Sequence, residues 1–118
     1  YFDTNRVYPT ALSQLVTPTG PLPKVPLDPL ATPTCGASFF NCNYSYATYP
    51  AAPTTYHLGA SLENTGHASL NVDKDCRSNA GTPNGCPQDS IYTAGGFSGA
   101  DATGCDATTA RACYDLTP

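Results

Sequence analysis

"TTYHLGASLE", Thr54 to Glu63, is the stretch on which the fold turns. Tyr56, Leu58, Ala60 and Leu62 alternate with Thr55, His57, Gly59 and Ser61. A period of two with β-favouring residues is a strand signature. His57 alternates with the Tyr56/Leu58 face and is therefore expected to point to solvent. Just upstream, "NYSYATY" (Asn43 to Tyr49) sets Tyr44, Tyr46 and Thr48 against Ser45, Ala47 and Tyr49. Only "YPAAP" separates the two segments, so an antiparallel hairpin is expected. Downstream, "ASLNVD" (Ala68 to Asp73) predicts a third strand with Leu70 and Val72 on one face.

Further upstream the pattern changes. From Thr17 to Pro33 the prolines are too dense for a helix or a central strand. An extended surface loop is expected there, with Leu22, Val25, Leu27 and Leu30 turned inward as pegs. Leu12, Leu15 and Val16 recur at helical spacing behind Pro9 and Thr10, which predicts a helix of about two turns. The residues before Tyr8 read as the end of another helix. Beyond Asp73, "CRSNAGTPNGC", "TAGGFSGADATGC" and "DATTARAC" are turn-forming, and no regular structure is expected in them.

One domain of 118 residues is expected. It divides into a helical start (1–16), a proline-rich loop (17–42), an antiparallel sheet (43–73) and a cysteine-rich loop region (74–118). The net charge is −4, and Arg6, Lys24, Lys74, Arg77 and Arg111 are scattered. Binding a phosphate backbone needs clustered cations, so no nucleic-acid partner is expected. Cys35, Cys42, Cys76, Cys86, Cys105 and Cys113 form no C-x-x-C pair, which argues for disulfides over zinc. Short loops close at least entropic cost, so Cys35–Cys42, Cys76–Cys86 and Cys105–Cys113 are the expected bridges. Disulfides place the chain in the periplasm, at the cell surface or outside the cell. The sequence carries no apolar run long enough to span a membrane.

Candidate chemistry is sparse, and no enzyme is expected. No serine lies in a G-x-S-x-G elbow, and Glu63 is the sole glutamate. "NVDKDC" spaces Asn71, Asp73 and Asp75 like the start of a calcium loop. However, Cys76 replaces the turn glycine, and Thr82 stands where a bidentate glutamate belongs. Glu63, Asn64, Asn71, Asp73 and Asp75 together could supply oxygen ligands for calcium. The competing expectation is a solvated acidic turn beside Lys74 and Arg77. "NYS" at Asn43 to Ser45 matches the glycosylation sequon.

The order of these pieces resembles a type IV pilin-like protein, most similar to the globular part of type II secretion major pseudopilins and related bacterial pilins. The resemblance rests on Asp3 to Pro9, where a long helix of the family ends, and on "P-L-D-P" at Pro26 to Pro29. It also rests on Tyr44 to Tyr46 and on the strand Tyr56 to Leu62, and it covers roughly residues 1–75. The cysteine-rich remainder looks more like the disulfide-tied loops of true pilins. The resemblance implies an α+β fold: a short helix, remnant of the long pilin helix, packed on a small antiparallel sheet with disulfide-tied C-terminal loops. It implies a structural subunit whose partners are other subunits of the same filament, met through a missing N-terminal apolar helix. That helix would also be the only contact with the membrane. It implies calcium at Glu63 or Asn64 with Asp73 and Asp75. The rival reading is a secreted, disulfide-rich adhesin module that binds carbohydrate or protein.

Overall fold

Strand β2 (Tyr56–Leu62) forms where the alternation is cleanest, and β1 (Ser45–Thr48) forms from the tyrosine-rich segment before it. The two pair antiparallel, with Tyr46 opposite Leu58 and Thr48 opposite Tyr56. The structure is a computed structural model, described over residues 1–16, 18–27, 44–49, 53–92, 95–107 and 110–118. Cys35, Cys42, Leu30, Asn43 and most of the proline-rich loop lie outside the described residues.

The third strand is not the expected one. Ala68–Asn71 is a 3₁₀ turn, capped by the His67 ring, which accepts the Ser69 N–H at 3.2 Å. Local side-chain hydrogen bonds of this kind compete with strand pairing. Val72, expected to share one face with Leu70, is 78% exposed, whereas Leu70 is buried. The third strand is instead β3 (Ala112–Leu116), in a region expected to be irregular; it lies antiparallel to β2 and gives the order β1-β2-β3. The sheet therefore extends well beyond the expected span of 43–73.

The start of the chain holds two short helical pieces. Phe2–Asn5 forms α1, closed by Arg6 in the left-handed region. Leu12–Val16 is a 3₁₀ turn rather than two α turns, and none of its residues is buried. In the proline-rich loop Leu22 and Leu27 are exposed, so neither is a peg. A three-stranded antiparallel sheet with short helical turns makes this a small mixed α+β architecture.

Directly opposed residues share a face, so the register defines two faces of different chemistry. The inner face carries Ser45, Ala47, His57, Gly59, Ser61, Cys113 and Asp115. The outer face carries Tyr46, Tyr56, Leu58, Ala60, Leu62, Tyr114 and Leu116, flanked by Thr48 and Ala112. The loops after residue 72 cover the inner face. One core cluster is Ala47, Cys76, Cys86 and Tyr92, and a second is Phe97, Cys105 and Cys113. Gly59 is required here: an added Cβ would lie 2.5 Å from the Phe97 ring and 2.6 Å from the Cys105 sulfur. Both described bridges, Cys76–Cys86 and Cys105–Cys113, match the expected pairing. Two buried disulfides fit an oxidising, extracellular or periplasmic setting. Among the described residues no helix is long and apolar enough to cross a membrane.

Candidate functional site

His57 is fully buried, against the expectation that it faces solvent. The loops, not the apolar side chains, close the β2 face that carries it. Its ring stacks on Phe97 with centroids 3.7 Å apart. Nε2 lies 2.8 Å from Asp115 Oδ2, and Nδ1 lies 2.7 Å from Ser78 Oγ. A carboxylate only accepts, so the ring proton belongs on Nε2.

Asp115 gathers one loop around itself. Its Oδ1 accepts the N–H groups of Lys74 and Asp75, and its Oδ2 accepts that of Cys76. A Cβ on Gly99 would lie 2.5 Å from the Asp115 carboxylate, and the Gly99 N–H donates to Cys76 O at 2.7 Å. Ser78 Oγ accepts the Phe97 N–H at 3.1 Å and sits 3.3 Å from Phe97 O. Ser78, His57 and Asp115 thus form a hydrogen-bonded chain with no exposed surface at any member. A nucleophile must meet its substrate, whereas this serine is enclosed and already hydrogen-bonded to Phe97. Chemically the chain works as a clasp between loop and sheet. The Cys76 and Cys86 sulfurs lie close to His57 but are bonded to each other.

The same loop carries the acidic residues singled out above. Asp73 and Asp75 converge with Asp101, their ligand atoms lying within 4.8 Å of one another. Asp73 Oδ1 and Asp101 Oδ1 are buried without a hydrogen-bond partner. Burial pushes the Asp73 carboxyl up, a backbone N–H from Asp115 opposes this, and the Asp101, Asp115 and Asp75 charges add to it. Burial, then Asp75 and Asp115, push Asp101 up. Three carboxylates make a hard oxygen set suited to calcium rather than to soft metals.

Glu63 is not part of this group. Its Oε1 lies 2.9 Å from Arg111 Nη2, and Asn64 Oδ1 accepts the Gly66 N–H at 3.0 Å. Asn71 donates to Ala68 O. Asp101, which the sequence reading missed, lies in a glycine-rich turn with no ligand spacing to mark it. Asp115 was missed for the same reason, being a lone acid in a segment expected to be irregular.

On the outer side of the sheet, aromatic residues tie the start of the chain down. Phe2 packs on Tyr8 at 4.7 Å, Tyr8 meets Tyr56 edge-on at 4.8 Å, and Tyr46 stacks on Tyr56 at 6.2 Å. The Tyr46 hydroxyl donates to Pro9 O at 2.7 Å, and the Tyr8 N–H donates to Pro53 O. Burial, then the neighbouring Tyr56 and Tyr8 phenols, push the Tyr46 phenol up. An open groove of about 860 Å³ runs beside β1, lined by Leu12, Tyr44, Ser45, Tyr46, Phe97 and Thr103 among others. No family model, curated protein or solved structure matches the chain.

Proposed function

We propose that this chain is the globular head of a type IV pilin-like filament subunit, structural rather than enzymatic. One observation carries the reading: the outer face of the sheet is apolar yet only partly covered. Tyr46, Tyr56, Leu58, Ala60, Leu62 and Tyr114 are each partly exposed, and Leu116 is 40% exposed. Apolar faces of this kind bury themselves against another element. The start of α1 lies at this face through Phe2, Tyr8 and Tyr56. A helix running into α1 would cover the face and carry the contacts with the membrane and with neighbouring subunits. The head would then coat an extracellular or periplasmic fibre.

The test uses the intact gene product in its own cells. Antibody to this domain should label sheared surface or periplasmic fibres, and Leu58→Asp with Leu116→Asp should abolish them. Recovery of the domain only as a soluble monomer, unaffected by those changes, would sink the filament reading. It would favour the adhesin module, which the groove beside Tyr44 supports.

The same reading includes calcium, held by Asp73, Asp75 and Asp101. When bound, the ion neutralises the mutual repulsion of the three carboxylates. Binding to the folded state alone stabilises by about 2.7 kcal/mol at a hundredfold excess over Kd. Millimolar calcium should raise the Tm of the wild type but not of Asp73→Ala or Asp101→Ala. Equal melting with calcium and with chelator removes calcium from the proposal.

A further inference from the structure

We propose that Asn84 is a latent deamidation site, held shut by the Cys76–Cys86 loop. Asn84–Gly85 is the only Asn-Gly pair in the sequence. Glycine has no Cβ to hinder its own nitrogen, so this pair is open to attack from the backbone. In that reaction the Gly85 nitrogen, losing its proton, bonds to Asn84 Cγ, and the side-chain amide leaves as ammonia. Water then opens the resulting succinimide to aspartate or isoaspartate. In net terms amide and water give acid and ammonia.

The folded loop opposes each step. Asn84 is only 1% exposed, which keeps water and base away. Its Nδ2 donates to Ser90 O at 2.8 Å, and its Oδ1 accepts the Cys86 N–H at 3.1 Å. Both ends of the amide are thereby held, and Cγ cannot turn toward the Gly85 nitrogen. The backbone is held too: Asn84 N–H donates to Asp89 Oδ1 at 2.6 Å, and Asn84 O accepts the Arg77 N–H at 2.9 Å. Two of these partners, Cys86 and Arg77, are a bridge cysteine and the neighbour of the other. Reduction by a phosphine, which takes up the oxygen of water while the disulfide becomes two thiols, frees both. The amide is then unlocked, and the acid that forms is a charge with no place in the buried site. A passing reduction becomes a permanent change.

The experiment holds the chain at mildly alkaline pH in three states: native, native with a phosphine, and unfolded in urea with disulfides intact. Peptide mapping reads the acid and isoacid at residue 84, and alkylation records which bridge has opened. A reaction confined to opened molecules is slowed by the opening equilibrium, so the native state should react at least about tenfold more slowly than either other state. In the phosphine sample the acid should accumulate in chains whose Cys76–Cys86 bridge is open. It should be scarce where only Cys105–Cys113 is open. Equal rates in the native state and in urea would overturn the proposal, as would acid spread evenly over both classes of reduced chain.

Discussion

The two faces of the sheet invert the usual arrangement. The inner face buries a histidine, an aspartate, a glycine and a bridged cysteine, while the outer face leaves tyrosines and leucines partly exposed. The inner face is held by specific partners: one carboxylate satisfies three backbone N–H groups and an imidazole, and disulfides supply much of the apolar filling. The outer face is a generic apolar surface. Hydrophobic burial is non-directional and scales with area, so such a face accepts a cover without needing atomic register. The contrast teaches that burial here follows from what covers a face, not from how apolar its residues are. A specific face builds the domain, and a generic one is left partly open.

The sharpest break of this contrast is Asp115→Ala. Without the carboxylate, the buried His57 ring and the N–H groups of residues 74, 75 and 76 all lose their acceptor, and each buried polar group left unpaired costs about 1–3 kcal/mol. Urea unfolding should show that loss or no folded state at all. If the cost matched that of an outer-face change, the distinction between faces would fail. Next in size is the double change Cys76→Ser with Cys86→Ser, expected to cost about 2–4 kcal/mol. Gly59→Ala follows at about 1–3 kcal/mol, because the new methyl meets Phe97 and the Cys105 sulfur in a filled space. By contrast Leu116→Ser should change the stability of this chain by less than about 1 kcal/mol; on the filament proposal its effect would appear in fibre assembly instead.

The smallest expected effect is that of pH. Asp73 and Asp101 have carboxyls pushed above their ordinary values in the folded state. Between the ordinary and the raised value the folded chain holds more protons than the unfolded chain, so stability falls as pH rises through the raised values. These two groups therefore add stability as the solution turns mildly acidic. Asp101→Asn should raise the Tm at neutral pH and flatten that acid gain. A steeper gain in the variant would show that other groups set the slope.

The hairpin of β1 and β2 was legible because alternation is a local property and both segments keep it. Which side of the hairpin faces inward was not. The alternation rule assigns burial by hydropathy, whereas His57 is buried by loops that begin more than a dozen residues later. The short Ala112–Leu116 strand was hidden because Asp115 sits inside it and the cysteine loops before it give no periodic context. Leu70 and Val72 misled in the opposite direction, since alternation over so few residues fits a capped 3₁₀ turn equally well. The bridges Cys76–Cys86 and Cys105–Cys113 were legible from loop length alone. Of the acidic site, Asp73 and Asp75 could be read from their spacing. Asp101 joins them only through the fold, which brings the turn after Gly99 against Asp115.

The position of β3 also sets the order of events during synthesis. The bonds from Asp115 reach back over 39 residues to Cys76 and 58 residues to His57. Until the ribosome has passed Leu116, the hairpin has no third strand and the N–H groups of residues 74–76 have no acceptor. Contacts between distant residues form late and slowly. Until then the growing chain keeps its inner face open, and Cys105 lacks the partner that β3 supplies in Cys113. Closure comes in one late step, so a chain halted just short of β3 should be recovered as a thiol-rich, protease-sensitive species rather than as a slightly smaller domain.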